Sequence, residues 1–245
     1  MTSSDLWDEG AAQRYDEASA EMFAPEVVQP AVDLLTRLAG TGRALELAIG
    51  TGRLAVPLHG RGVPVAGIEL SEPMVAQLRR KVDEDAVPVV VGDMATTRVP
   101  GEFSVVYLVF NTIGNLRTQA EQVACFRNAA GHLEPGGRFV VEVGVPGLRR
   151  LPPGQVAVPF DVSAAHTGLD TYDDLVSQQA TSHHYSREPD GSIRYGVHHF
   201  RYVWPSECDL MAQLAGLELE QRTADWQGSP FTSDSPGHVS VWRKP

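Results

Sequence analysis

Two closely spaced glycines and one acidic residue show the clearest chemical pattern in this sequence. Gly50 and Gly52 end the apolar run 44–49, and Glu69 ends the next run, 63–68. Glycine lets a backbone turn tightly and approach a ligand, and the helix that follows offers unpaired N–H groups to an anionic group. A carboxylate about 20 residues further on can accept both hydroxyls of a ribose. The pattern predicts a site for a nucleotide-like ligand.

Two kinds of cofactor satisfy this pattern. The stretch from Gly50 to Ala55 fits G-x-G-x-x-(G/A), so a nicotinamide dinucleotide is one interpretation. Glu46 argues against it, because it lies inside the first predicted strand, where dinucleotide-binding strands are usually wholly apolar. Asp93, followed by Met94, closes the third apolar run and would place a carboxylate near an adenine amino group. These two acids favour a different nucleotide cofactor.

The combined motif has a known counterpart. Glu46-x-Ala48-x-Gly50-x-Gly52 resembles motif I of class I S-adenosylmethionine (SAM) methyltransferases, usually written (D/E)-x-G-x-G-x-G. Glu69 is similar to the ribose-binding acid of that family, residues 92–94 to its adenine-binding turn, and 133–138 to the turn before its fifth strand. The resemblance covers about 40–150. Ala48 departs from it, since a slightly larger residue stands where the family has its first glycine.

The resemblance implies an enzyme that transfers a methyl group from SAM to an N or O atom of a small molecule and releases S-adenosylhomocysteine. Through an insertion predicted after its fifth strand, the chain also resembles sugar N-methyltransferases and related natural-product enzymes. A nicotinamide-dependent oxidoreductase and a non-catalytic SAM-binding domain remain as alternatives. The cofactor-binding residues that the resemblance implies are Tyr15, Glu46, Ala48, Gly50, Gly52, Arg53, Glu69, Leu70, Met74, Asp93, Met94, Phe110, Asn111 and Thr112.

Three parts of this assignment rest on weaker patterns. Tyr15, in a segment that resembles the donor-covering N-terminal helix of small-molecule enzymes, either contacts the methionine moiety or is simply a buried helix residue. Arg53 either pairs with the methionine carboxylate or is an exposed helix arginine. The fourth-strand segment 107–116 lacks the (D/N)-P-P-(Y/F) motif of enzymes that methylate amino groups of nucleobases or glutamine.

The elements needed to position these residues follow from hydrophobic periodicity. Apolar runs alternate with helical patterns, which predicts βαβ units in a doubly wound, mostly parallel sheet of seven strands. Two helices precede it, at 6–22 and 26–38, and its last two strands are predicted at 217–225 and 238–242. The alternating runs are 44–49, 63–68, 87–91, 103–110 and 138–145, with helices at 54–59, 73–82 and 119–132.

The pattern changes near residue 149. Runs 155–162, 175–186 and 193–204 have no helix between them, and Asp190-Gly191 is a strong hairpin signal. We therefore expect a three-stranded antiparallel lid inserted after strand five. The predicted division is 1–153 for the N-terminal helices and SAM-binding core, 154–204 for the lid, and 205–245 for a helix and strands that complete the core.

Histidines flank the predicted hairpin, at His183-His184 and His198-His199. Adjacent strand residues point to opposite faces, so neither pair can chelate a metal alone, and no metal is expected. We take His184, His199 and Tyr202 as candidates for orienting the acceptor or accepting its proton. The alternative is that these are ordinary half-buried strand residues, since positioning alone can supply much of the acceleration of methyl transfer.

Charge and cysteine content restrict the partners. The 245 residues carry a formal net charge of -11, which disfavours nucleic acid. The two cysteines lie far apart with no CxxC, and we find no leader or membrane-spanning pattern, so a cytoplasmic location is expected. The expected partner is a small-molecule substrate, with the chain acting as a monomer or homodimer.

Overall fold

The computed structural model describes residues 7–188 and 190–245. Two helices precede the sheet, α1 (Glu9–Ala18) and α2 (Pro25–Ala39), with a short 3-10 helix between them (Ala20–Phe23). The predicted end of α2 at Gly40 is confirmed, because Gly40 adopts a φ of 57° and donates its N–H to the carbonyl of Thr36. Residue 6, where the first helix was predicted to begin, lies outside the described residues.

The predicted doubly wound core is confirmed. The strands of its seven-stranded sheet are β1 (Ala44–Leu47), β2 (Val65–Glu69), β3 (Val89–Val91), β4 (Phe103–Leu108), β5 (Leu133–Gly144), β10 (Glu218–Thr223) and β11 (Gly237–Arg243). Their order in the sheet is β10-β11-β5-β4-β1-β2-β3, and β11 runs antiparallel to both neighbours. The helices among them are α3 (Ala55–Gly60), α4 (Glu72–Leu78), α5 (Gln119–His132) and α6 (Pro205–Leu214).

The central strands are buried on both faces, as their unbroken apolar runs require. Every residue of β1, β2 and β4 is buried. On one side Phe126 of α5 packs edge-on against Phe139 and Trp242. Because β1 to β5 run parallel, their carboxyl ends all lie at one edge of this sheet.

A second sheet follows β5, and it has four strands rather than the three predicted. In order they are β6 (Ala157–Val162), β7 (His166–Asp174), β8 (Gln179–Arg187) and β9 (Ile193–Arg201). The prediction missed β7 because its sequence, HTGLDTYDD, has few apolar residues and offers only a broken alternation. Residues 175–178, predicted as strand, instead form the turn between β7 and β8.

The hairpin predicted at Asp190-Gly191 is confirmed. Gly191 has a φ of 86° and donates its N–H to the carbonyl of Glu188. At the opposite end of β9, Arg201 is 3% exposed and bonds to Gln122 of α5 and to Glu207 of α6, at 2.7 Å in the second case. A buried polar cluster thus attaches the second sheet to the core. Among the described residues, no helix has the length and apolar character of a membrane span.

Candidate active site

The turn after β1 uses left-handed backbone at three alternate positions. Ala48, Gly50 and Gly52 have φ values of 54°, 57° and 84°. For a residue with a Cβ this region costs about 1–2 kcal/mol. Ala48, which stands where motif I has its first glycine, therefore follows the same backbone path as a glycine would, but at an energetic cost that glycine would avoid.

The two glycines serve different purposes. A Cβ on Gly52 would lie 2.3 Å from Cδ1 of Leu78 and 2.9 Å from Cγ2 of Val56, so close packing of α4 on the turn requires glycine there. A Cβ on Gly50 would meet only Cε of Met74, at an ordinary 3.6 Å. Of the two, Gly50 presents the open side of the turn.

The carboxylate of Glu69 lies beside that open side. Its Oε2 accepts the N–H of Gly50 at 2.8 Å and its Oε1 accepts the N–H of Ser71 at 2.9 Å. Burial raises its pKa, while these backbone hydrogen bonds lower it. Leu70, half-buried, follows it at the end of β2. Each carboxylate oxygen has a second lone pair, so the group can also accept hydroxyls of a ligand.

Glu46 is a second acid in the same region, and it is 3% exposed. Its Oε2 accepts the hydroxyl of Tyr107 at 2.9 Å. Burial raises its pKa to about 8, against the lowering effects of the Tyr107 hydrogen bond and the nearby Arg53. At neutral pH this carboxyl is mostly protonated and can donate a hydrogen bond.

Asp93 and Met94 form the turn after β3. Oδ1 of Asp93 accepts the N–H of Ala95 at 2.7 Å, and the preceding Gly92 donates its N–H to the carbonyl of Glu69 at 2.8 Å. A backbone hydrogen bond therefore joins the end of β2, which carries Glu69, to the turn after β3, which carries Asp93. Met94 is 8% exposed and belongs to the core, with its backbone beside Asp93.

Helix α1 closes one side of the glycine turn. Tyr15 packs edge-on against Trp7 and Phe23, and burial raises its pKa. The charge of Arg53 lowers the pKa of Tyr15, while the nearby acids Asp16, Glu46 and Glu69 raise it.

Sequence reasoning missed the residues that attach α1 there. Asp16 accepts the Thr51 hydroxyl at 2.6 Å and pairs with Lys81, whose Nζ also bonds to the Thr51 carbonyl at 2.9 Å. From the sequence alone, Asp16 and Lys81 look like solvent-exposed helix residues. Only the folded structure shows that both lie against Thr51.

The end of β4 is a second left-handed turn, at Phe110 (φ 57°) and Asn111 (φ 62°). Asn111 accepts the N–H of Gly144 at 2.6 Å through Oδ1, and Thr112 begins a 3-10 helix, Thr112–Asn115. The guanidinium of Arg53 lies 5.3 Å from the Phe110 ring centroid. Arg53 thereby connects the β1 turn with the β4 turn.

Glu142 of β5 is a further acid that the sequence analysis did not single out. Its Oε2 accepts the N–H of Phe110 at 2.9 Å, and its Oε1 accepts the indole N–H of Trp226 at 2.7 Å. The available signal was an acid inside an apolar run, the same feature that distinguished Glu46.

The second sheet turns one face toward the β4 turn. A Cβ on Gly114, in the 3-10 helix after β4, would lie 3.4 Å from Cβ of Phe200 in β9. We call this side the inner face; alternation and register assign to it Gly168, Asp170, Tyr172, Ala180, Ser182, His184, Gly196, His198, Phe200 and Tyr202. Burial alternates accordingly, with His198 half-buried and His199 exposed.

The three candidate catalytic residues do not share one face. His184 and Tyr202 lie on the inner face, whereas His199 lies on the outer face and bonds to Oγ1 of Thr181 at 2.9 Å. Tyr202 is 6% exposed and packs edge-on against Tyr172 in an apolar cluster.

Within the described residues, no three His, Cys, Asp or Glu side chains are arranged to hold a metal ion.

These features define a class of protein: an open α/β sheet whose candidate ligand site lies at the carboxyl ends of its strands, where such sheets bind nucleotides. Residues 44–137 match the family model described as a methyltransferase domain. The CcbJ methyltransferase of Streptomyces caelestis superimposes with a TM-score of 0.85 and 37% identity, covering 98% of each chain.

Two curated relatives are an N-terminal methyltransferase and an N,N-dimethyltransferase. The cypemycin N-terminal methyltransferase of Streptomyces sp. is 28% identical over 240 residues, 96% of each chain. A dTDP-3-amino-3,4,6-trideoxy-alpha-D-glucopyranose N,N-dimethyltransferase of Streptomyces venezuelae is 33% identical over 120 residues, 49% of this chain and 50% of that protein.

The chain belongs to the SAM-dependent methyltransferases. It is an enzyme, and its cofactor is SAM. This family assignment takes the place of the nicotinamide-dependent oxidoreductase as the interpretation of the chain. The G-x-G-x-x-(G/A) pattern alone had fitted both.

Proposed function

We propose that this enzyme transfers the methyl group of SAM to an amine nitrogen of a small natural-product or amino-sugar acceptor. The observation that carries the proposal is the polar inner face of the second sheet, which lies over the β4 turn and presents Asp170 with His184 and His198. Burial lowers the pKa of both histidines, to about 4 for His198, so both are neutral at pH 7. Neutral bases and a nearby acid suit an acceptor that arrives as an ammonium ion.

The donor would be held at the strand ends of the core. Glu69 would accept the two ribose hydroxyls, and Asp93 with the Met94 backbone would contact the adenine. Gly50 gives the backbone its open approach, with Ala48, Gly52, Leu70 and Met74 shaping the same turn. These groups fit a nucleoside, since Glu69 keeps a free lone pair on each oxygen beside an uncovered glycine.

The methionine end would lie between α1 and the β4 turn. Arg53 would pair with its carboxylate, protonated Glu46 would donate a hydrogen bond, and Tyr15 would cover it. Phe110, Asn111 and Thr112 would line the methyl side. When bound, SAM supplies a methyl group on a positively charged sulfur, and the residues of this chain contribute orientation and exclusion of water.

The second sheet would act as a lid that selects the acceptor, in a protein divided at 1–153, 154–204 and 205–245. We also propose a cytoplasmic enzyme acting as a monomer or homodimer, with the cofactor site complete in one chain.

The test is a turnover assay with mass-spectrometric detection of S-adenosylhomocysteine and methylated product. The panel contains dTDP-linked amino sugars and short peptides with free N-termini, each paired with an analogue in which hydroxyl replaces the amine. We expect methylation of one or more amines and none of the hydroxyl analogues. Methylation of the hydroxyl analogues, or of neither set while SAM binds, would contradict an amine acceptor.

A further inference from the structure

A chain of three titratable side chains crosses the inner face of the second sheet. Oδ2 of Asp161 lies 2.5 Å from Nδ1 of His166, and Nε2 of His166 lies 3.1 Å from Nδ1 of His184. The two imidazole rings are 5.3 Å apart and inclined by 31°. Asp161 comes from β6, His166 from β7 and His184 from β8, so the chain exists only when all three strands pair in this register.

When Asp161 is ionised and His166 carries a single proton, the donors and acceptors along this chain can follow only one order. An ionised Asp161 can only accept, so His166 carries its proton on Nδ1. A neutral His166 then accepts at Nε2, and His184 must donate from Nδ1. Nε2 of His184 is consequently the unprotonated nitrogen, with a lone pair available to a ligand. Among the described residues, no hydrogen bond to this nitrogen is formed.

The neighbouring strands leave space beside His184. Its cross-strand partners are Gly168 on β7 and Gly196 on β9. The Phe160 ring covers the Gly168 side, 5.4 Å from the His184 ring, whereas a Cβ on Gly196 would be 3.9 Å from Cβ of His184 with no other atom nearby. The open side of the imidazole therefore faces β9, where His198 is the next inner-face residue toward the β4 turn.

Charged and titratable groups around His184 keep it neutral. Burial lowers its pKa, and His166 and His183 lower it further. From β7, Asp170 also lies on this face and accepts the hydroxyl of Ser182; from β9, His198 is itself neutral at pH 7. An uncharged His184 is the form that can take up a proton.

We propose that Nε2 of His184 accepts the proton of the acceptor amine, with His166 and Asp161 as positioning residues that set its tautomer. This inference rests on the proposed amine acceptor. The ammonium N–H bond breaks and its proton joins Nε2. The freed lone pair forms the new bond to the methyl carbon, and the carbon–sulfur bond breaks with its electron pair on sulfur. The imidazolium then returns the proton to water.

The first test needs no acceptor. Nitrogen-15 NMR of histidine-labelled enzyme distinguishes the two neutral tautomers, and we expect Nδ1–H at both His166 and His184. In His166→Ala we expect His184 to become a mixture of tautomers, while the SAM dissociation constant changes less than threefold. A proton on Nε2 of His184 in the wild type would overturn the inference.

The second test is the pH dependence of turnover with the panel amine that reacts fastest. A general base contributes about 10²–10⁴-fold, so His184→Ala should lower kcat/KM about a hundredfold at pH 7. The loss should shrink as the pH passes the pKa of the amine, because the solvent then removes the proton. His166→Gln, whose amide oxygen can still accept from His184, should retain more turnover than His166→Ala.

His183→Ala is the matched control, since His183 lies on the outer face and bonds to Tyr195 and Thr171. It should keep near-native turnover. If His184→Ala and His166→Ala both keep the turnover of the wild type, the inference is overturned and the proposed function still stands. A wild type that methylates no amine at all would overturn both.

Discussion

The carboxyl end of the parallel sheet and the inner face of the second sheet build their polar sites in different ways. At the first, the backbone forms most of the site. Left-handed turns follow β1 and β4, and backbone N–H groups donate to the carboxylates of Glu69 and Glu142. At the second, side chains bond to side chains, as in the series from Asp161 to His184. Each left-handed turn is encoded by adjacent residues, whereas each side-chain contact depends on the pairing of separate strands.

In our proposal the core holds the cofactor, while the second sheet selects the acceptor. We then expect a substitution in the second sheet to alter a side chain without disturbing the backbone turns of the core. The four experiments below test whether the two regions can be perturbed separately.

The largest expected effect is on the cofactor site. Glu69→Ala removes a carboxylate that holds the Gly50 and Ser71 amides and, in our proposal, two ribose hydroxyls. At about 1.5–3 kcal/mol for each hydrogen bond to a charged group, SAM affinity should fall a hundredfold or more by calorimetry. Asp93→Ala removes one contact and should cost less; the reverse order would refute the assigned roles.

Glu46 provides a pH test of the same region. Its pKa is about 8 in the folded protein against an ordinary 4.5, so the folded state binds the extra proton between these values and stability falls as pH rises through that window. A tenfold change in proton affinity is worth about 1.4 kcal/mol, which sets an upper limit of roughly 4–5 kcal/mol.

Glu46→Gln should abolish most of this loss, since glutamine resembles the protonated acid. Thermal melts at pH 5 and pH 9 should differ less in Glu46→Gln than in the wild type. Glu72→Gln, an identical change at an exposed position, is the control. Equal pH dependence in Glu46→Gln and the wild type would show that Glu46 is ionised throughout.

Arg201 tests the attachment of the second sheet. Its pair with Glu207 is nearly buried, with side-chain exposures of 4% and 13%. Arg201→Met should cost about 3 kcal/mol, because it leaves this carboxylate with amide donors but without a positive charge beside it. Arg194→Met breaks an exposed pair with Glu188 and should cost less than about 1 kcal/mol. The SAM affinity of the folded Arg201→Met protein should stay near native; a tenfold change would show that the regions are coupled.

The smallest effect separates the two glycines. Gly50→Ala and Gly52→Ala both place a Cβ in left-handed backbone, but only the second also collides with Leu78. Overpacking costs about 1–3 kcal/mol, so Gly52→Ala should be less stable than Gly50→Ala by about 2 kcal/mol in denaturant unfolding. Equal stabilities would mean that α4 moves aside at no cost.

The sequence by itself determined the core and the strand-end turns that carry the proposed cofactor residues. Strands such as β1 and β4 are continuous apolar runs, and Gly50, Gly52 and Glu69 lie at spacings set by one βαβ unit, so local pattern is enough to place them. The end of α2 and the hairpin at Asp190-Gly191 were likewise predictable, because a single residue with positive φ marks each turn.

Only the tertiary structure decided which polar side chains act together. Strand β7 escaped prediction because its alternation is weak, and without it His166 has no connection to Asp161 or His184. Register decided that His184 faces inward and His199 outward, since a shift of one residue would exchange them. Asp16 and Glu142 are common acids in the sequence; they gain roles only because separate elements bring Thr51, Lys81, Phe110 and Trp226 to them.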